Sequence, residues 1–291
     1  MRGPLHTTGE VLASKRVGAY QHLTVVAPGV AERFRPGTFV AVAVDGTRLT
    51  PRALWIHGVK PVGGYGPALQ LVVDPVGPGT HWLAERPVGT RLELTGPLGR
   101  AFALPKEPVA TLLVGEGYAA APLFPLAERL RERGCQVNLL VAAPDERHLL
   151  SALEARRVAR AVTVVTADGS VGRRGAVADV VAGVLAQSAA EVVYAAGPVR
   201  TLHAVASAAE QAGAWSQTAV EQPLACGTGL CLGCPLPVVG EDGVGRVVRA
   251  CTEGPVVRGD RVRWTELAPT WTGPEAPRAD ARPGRPTGDP S

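Results

Sequence analysis

The chain has 291 residues, 46% hydrophobic and 19% charged, with 30 Lys+Arg against 26 Asp+Glu for a formal net charge of +4. Such a composition can bury a large core and excludes a broadly disordered chain. The small, dispersed positive excess and 4% aromatics exclude a basic nucleic-acid groove and a base-stacking platform.

From Gly9 to about Phe102 the apolar runs are short and punctuated by Gly and Pro: HLTVVAP (22–28), TFVAVAV (38–44), LQLVVD (69–74) and RLELTG (91–96). Alternating or β-branched runs with frequent turns predict a small antiparallel barrel over 1–105. The pattern changes near Pro105–Pro108. Strands are expected at 109–115, 136–144, 161–168 and 191–198, and helices at 121–134, 146–157, 176–188 and 199–213, with Gly134 stopping the first helix. Alternation of this kind predicts a parallel α/β nucleotide-binding domain over 106–215. After Gly213 the periodicity stops and four of the five cysteines follow, giving a small C-terminal domain over 216–267. Residues 268–291 are rich in Pro, Gly, Thr, Asp and Arg and read as a disordered tail.

The stretch Val109–Leu126 contains Glu116, two glycines and two prolines, so it does not read as a membrane helix. The N-terminal MRGPLHTTGE lacks the apolar core of a secretory signal. A cytoplasmic chain is expected, with reduced thiols free to bind metal.

The cysteines carry the strongest chemical signal. Cys226, Cys231 and Cys234 stand in ACGTGLCLGC (225–234), and Cys251 returns in RACTEG (249–254). Three thiolates in one glycine-rich loop and a fourth from elsewhere is the plant-type [2Fe–2S] spacing. Gly227, Gly229 and Gly233 let backbone N–H groups curl toward the negative sulfurs. The alternatives are a four-cysteine zinc site, although such sites prefer two closely spaced pairs, and a set of merely buried cysteines. Cys135 reads as a buried packing thiol.

Two further segments suit phosphate. VGEGYAAAP (114–122) places Gly115 and Gly117 between a strand and a helix, where a pyrophosphate can meet free N–H groups or where a plain packing turn can sit. Glu116 inside it has the wrong sign for phosphate. AAGP (195–198), with Gly197 and Pro198, falls at the carboxyl edge of the expected sheet. VGPGTHWLAE (76–85) sets Gly77, Gly79 and Thr80 before a helical turn in the barrel, again as a phosphate site or as ordinary turn chemistry. Asp145 reads as a helix cap ahead of a ribose contact. His57, His81 and His148 are isolated, with packing or solvated roles, and no acid–base or nucleophilic triad is evident.

Taken together, PGTFVAV (36–42), GPGT (77–80), GPLGRAF (96–102), GEGYAAAPLFPLA (115–127), AAGP and EQPLACGTGLCLGC (221–234) with CTEGPVV (251–257) resemble, in order, the electron-transfer subunits of NAD-dependent dihydroorotate dehydrogenases in the ferredoxin-reductase superfamily. The resemblance spans roughly residues 9–266. It implies FAD on the barrel, NAD on the α/β domain and a [2Fe–2S] cluster on Cys226, Cys231, Cys234 and Cys251. It also implies a hetero-oligomer with an FMN-containing catalytic subunit that oxidises dihydroorotate in pyrimidine synthesis, with no nucleic-acid or membrane partner. Arg52 matches the family's flavin-loop arginine. Trp55 replaces its serine, and Val73 and Asp74 replace an aromatic–Arg pair. These departures keep two alternatives in view: a paralogue with an intact cluster but impaired flavin or nicotinamide chemistry, and a reductase module of another oxidoreductase.

Overall fold

The computed structural model describes residues 3–45 and 50–267. The expected tail, 268–291, lies outside the described residues. Six strands close into an antiparallel barrel: β1 (Leu5–Val17), β2 (Tyr20–Val26), β3 (Phe39–Val42), β4 (Arg52–Val62), β5 (Gly66–Val73) and β6 (Arg91–Leu98), in the order β1-β2-β5-β4-β3-β6. Residues with a period of two supply its filling. Val11, Leu23, Val25, Val40, Leu54, Ile56, Leu69, Leu71 and Leu94 are all buried in one cluster. A short helix, α1 (Pro78–Ala84), adds Leu83 to that cluster.

The α/β part contains β7 (Ala110–Glu116), α2 (Leu123–Glu132), β8 (Gln136–Ala143), α3 (Ala152–Val158), β9 (Ala161–Thr166), β10 (Arg173–Arg174), α4 (Val177–Ser188), β11 (Val192–Gly197), α5 (Val199–Gln211) and β12 (Trp215–Val220). Then come the hairpin β13 (Pro235–Val239) and β14 (Gly245–Arg249), α6 (Ala250–Glu253), β15 (Val256–Arg258) and α7 (Trp264–Leu267). The large sheet runs β10-β9-β8-β7-β11-β12-β15. All its pairings are parallel except that of β15 with β12, which is antiparallel. The chain leaves β7 toward β8 on one side and returns as β11 on the other. The reversal opens a crevice at the carboxyl ends of β7 and β11, where open α/β sheets bind ligands. Helix α2 ends as its sequence predicts. Gly134 takes φ 79°, and Cys135 N–H and Gly134 N–H donate to Leu130 O and Arg131 O, a Schellman closure.

Two expectations need correction. Residues 146–157 do not form one helix. The Asp145 carboxylate accepts from His148 N–H at 3.1 Å and closes a 3₁₀ turn, Glu146–His148, and Ser151 at φ 52° then separates that turn from α3. Asp145 is the cap that its position suggested. The α/β sheet also does not stop at residue 215, because β12 and β15 belong to it. The cysteine-bearing segment between them is therefore an insertion across one edge of the α/β sheet. Among the described residues no helix is long and apolar enough to cross a membrane.

Candidate functional site

The barrel, the β7–α2 turn and the segment after β12 meet around a cleft of about 620 Å³. Tyr20, Arg52, Trp55, Asp74 and Thr80 line it from the barrel; Gly117, Tyr118, Pro198 and Arg200 from the α/β sheet; and Glu221 and Gln222 from the lead-in to the cysteine loop. Sheet register explains the meeting. Gly115 at the end of β7 pairs with Ala196 at the end of β11, so the glycine turn and AAGP adjoin although 80 residues separate them.

Of the residues singled out in the sequence, Arg52, Trp55, Thr80, Gly117 and Pro198 line the cleft. Gly77, Gly79, Gly115 and Gly197 do not line it. Thr80 Oγ1 accepts from Gly77 N–H at 3.0 Å, which fixes the start of α1. A side chain at Gly79 would collide with the Arg52 guanidinium, so glycine there lets Arg52 lie across the turn. A Cβ at Gly115 would come within 2.6 Å of Ala120. Arg52 Nη1 itself donates to Thr50 O at 2.7 Å and Thr50 Oγ1 at 3.0 Å.

Glu116 does not project as a free negative charge. Its carboxylate accepts from Arg200 Nη2 at 2.6 Å and from the Thr201 hydroxyl at the start of α5. Trp55 is buried and its indole Nε1 donates to Glu221 Oε1 at 2.6 Å, while its backbone N–H donates to the Tyr118 hydroxyl at 3.1 Å. Burial pushes the Glu221 carboxyl up, the Trp55 bond draws it back, and the Asp74 charge pushes it up again, leaving a net rise. Burial likewise raises Asp74, against the pull of His148 and His81. Tyr118 and Tyr20 are raised strongly, chiefly by burial, and stay protonated. Tyr20 Oη donates to His148 O at 2.8 Å. Gln222 Nε2 is buried without a partner.

His57 is not isolated. It is buried between the barrel and the α/β part, with Nδ1 3.2 Å from Ala121 O and Nε2 3.3 Å from Glu154 Oε2. This is the packing role, made across a domain junction.

The cysteines of the quartet approach in pairs. Cys234 Sγ and Cys251 Sγ lie 3.4 Å apart and both residues are buried. Cys226 and Cys231 share the preceding loop, one half-buried and the other exposed. Thr228 N–H points at Cys226 Sγ and Gly233 N–H at Cys231 Sγ, each at 3.4 Å. Gly227 at φ 72° and Gly229 at φ 87° supply the left-handed backbone that such curling requires. Burial would raise the Cys226 thiol, but bonds from the Cys231 and Thr228 N–H groups and side chains outweigh it and bring the pKa down to about 6. Cys251 is pushed up to about 12 by burial and by the neighbouring Cys234 and Cys226. Among the described residues no three His, Cys, Asp or Glu side chains converge as a single metal ion requires. Cys135 is buried, as a packing thiol should be.

Sequence reasoning did not single out Tyr20 or Arg200, and quoted Tyr118, Glu221 and Gln222 only as parts of motifs. No local pattern marks a lone buried tyrosine or glutamine. Arg200 becomes significant only when sheet order brings it to Glu116.

Residues 221–263 match the family model of the iron–sulfur cluster binding domain of dihydroorotate dehydrogenase B. The chain is 31% identical over 240 residues to the dihydroorotate dehydrogenase B (NAD(+)) electron transfer subunit of Desulforamulus reducens, covering 82% of this chain and 90% of that one. It is 32% identical over 228 residues to the corresponding subunit of Shouchella clausii, covering 76% and 84%. Among solved structures, it is similar to one from the study of the NADH-dependent reduced ferredoxin–NADP oxidoreductase, at TM-score 0.78 and 27% identity over 90% of this chain and 91% of the other. A ferredoxin reductase of carbazole 1,9a-dioxygenase shares the fold at TM-score 0.62 and 23% identity, over 72% of this chain and 67% of that one.

Proposed function

Because the chain belongs to the family of the electron transfer subunits of dihydroorotate dehydrogenase B, we propose that it carries electrons from a dihydroorotate-oxidising flavoprotein to NAD by way of a [2Fe–2S] cluster and FAD. The partner in this reading is an FMN-containing catalytic subunit, the assembly is a hetero-oligomer, and the setting is the cytoplasm. The observation that carries it is the meeting of three separately encoded features at one cleft. Barrel residues form one wall, the β7–α2 and β11–α5 turns another, and Glu221 and Gln222 lead from the cleft into the cysteine loop.

The residues fit the cofactors. Four thiols with N–H groups already aimed at two of them make a shell for a negatively charged cluster, so Cys226, Cys231, Cys234 and Cys251 are assigned as its ligands. Their arrangement as two pairs fits two irons better than the single point that zinc needs. Arg52, Trp55, Gly77, Gly79 and Thr80 are assigned to FAD. The orphan Gln222 Nε2 gives the cleft a buried donor awaiting an acceptor. Gly115, Gly117, Gly197 and Pro198 are assigned to NAD. The pairing of Glu116 with Arg200 removes much of the repulsion that its sequence position implies.

When bound, a flavin exchanges two electrons with nicotinamide and single electrons with an iron–sulfur centre. The chain's own contribution is placement. Arg52 and the start of α1 present positive charge and N–H groups to phosphate. The carboxyl edge of the sheet receives the nicotinamide nucleotide. Tyr118, held by the Trp55 backbone, fixes one side of the cleft. In this reading residues 1–105 form the flavin module and 106–215, completed by β12 and β15, the nicotinamide module. The remainder of 216–267 forms the cluster module.

One observation favours a second reading. The Trp55 indole lies in the cleft where the family has a serine, and it is tied to Glu221. A paralogue that keeps the cluster but binds flavin poorly would have this arrangement. Iron, acid-labile sulfide and flavin analysis of the purified chain separates the two. Full iron and sulfide with releasable FAD supports the first, full iron and sulfide without flavin supports the second, and zinc or no metal after anaerobic reconstitution defeats both.

A further inference from the structure

Thr252 follows Cys251 in α6, and its Oγ1 is buried with no hydrogen-bond partner. A shielded hydroxyl left unpaired costs free energy, so native structures nearly always give such a group an acceptor. Its surroundings narrow what that acceptor is. The side chain lies against Gly229 in the cysteine loop: a Cβ built there would stand 2.8 Å from Thr252 Cγ2 and 3.6 Å from Oγ1. Gly229 O accepts from Arg249 Nη1 at 3.3 Å. The neighbouring Glu253 carboxylate is occupied by Arg249 N–H at 2.8 Å. Neither the Gly229 carbonyl nor the Glu253 carboxylate accepts from the Thr252 hydroxyl. The loop against which the hydroxyl rests carries the quartet: Cys251 is the residue next to Thr252, and Cys234 Sγ is 3.4 Å from Cys251 Sγ; none of these thiols accepts from Thr252 Oγ1, which leaves a sulfur supplied with the cluster as the acceptor.

We propose that the Thr252 hydroxyl donates a hydrogen bond to a sulfur of the iron–sulfur centre held by Cys226, Cys231, Cys234 and Cys251, and thereby raises that centre's reduction potential. The inference rests on the reading of the quartet as cluster ligands. Reduction adds negative charge that is shared by the sulfurs. A donor aimed at sulfur therefore stabilises the reduced form more than the oxidised one. Thr252 is a positioning and tuning residue in this account, since it ligates no iron.

The test uses the full chain, reconstituted anaerobically, as wild type, Thr252→Val, Thr252→Ala and Thr252→Ser. Iron and sulfide content is measured first, and the midpoint potential is then found by redox titration followed by EPR. The expected result is full cluster content throughout, with a more negative potential in the valine and alanine variants and the wild-type value in the serine variant. An unchanged potential in the valine variant overturns the proposal, and so does an equal shift in the serine variant, which would mark a packing effect. If valine and alanine both block assembly while serine permits it, the hydroxyl bond is upheld as a condition of assembly; loss in all three overturns it. A wild-type chain that takes up no iron defeats the underlying reading, and the proposal with it, and is told apart by the metal analysis alone.

Discussion

Trp55 and Glu221, 166 positions apart in sequence, are joined by a 2.6 Å hydrogen bond from indole to carboxylate that spans from the barrel to the lead-in of the cysteine loop. The bond fills part of the cleft and holds a half-buried acid whose pKa desolvation has raised. Replacing Trp55 by serine should open the cleft and increase FAD bound per chain, read from the flavin released on heating. The same change strips Glu221 of its indole donor and should lower stability by about 1–3 kcal/mol, visible as a lower Tm without added flavin. Flavin content equal to wild type would show that the indole does not obstruct the site.

Cys231 is the exposed member of the quartet. Cys231→Ser should abolish the visible absorbance of the cluster and its iron, because a hydroxyl is a poor substitute for a thiolate on iron. Iron content unchanged from wild type would remove Cys231 from the ligand set.

Glu116 holds Arg200 and the Thr201 hydroxyl at the start of α5. Glu116→Gln should free Arg200 and remove a negative charge from the expected phosphate path. NADH should then bind ~3- to 10-fold more tightly at low salt, with the gain shrinking as salt rises. Fluorescence titration of NADH measures it. A weaker affinity would instead make the carboxylate a ligand contact.

His22 is pushed down to about 4 from an ordinary 6.5, by burial first and then by His57 and Lys15, against the pull of Glu154. The folded state therefore binds protons less readily than the unfolded one. The stability from neutral His22 is present in full above pH 6.5 and is lost as pH falls through the window down to about 4. Thermal melts across that window should show a smaller acid loss for His22→Gln than for wild type. Identical slopes would remove His22 as the source of the loss, because the lowered Glu154 carboxyl contributes to acid sensitivity only below its ordinary 4.5.

Much of the architecture was legible because its signals are periodic. The barrel strands alternate, the α/β strands are short apolar runs, and Gly134 marks a helix end. The cysteine spacing pointed to a shared centre without any fold. Strand β12 escaped because its sequence, WSQTAV, looks polar. Ser216, Gln217 and Thr218 are nevertheless buried. Gln217 is satisfied by Ala103, its Oε1 accepting from the backbone N–H and its Nε2 donating to the carbonyl, each at 2.9 Å. A buried polar residue is matched by a distant backbone, and periodicity carries no trace of that. The break at Ser151 and the Glu116–Arg200 pair were hidden for the same reason: each depends on what tertiary structure brings alongside.

The edge strand β15 and its neighbour β12 bracket the cysteine-bearing insertion and are laced to each other through Gln217, Thr218 and Ala219. Both ends of that insertion are thereby anchored on the same sheet that carries the β7–α2 turn. On the proposed reading, a redox centre mounted this way would reach the cleft without a swinging arm. The rate at which electrons cross would then be governed by chemistry and driving force rather than by a search for the right pose.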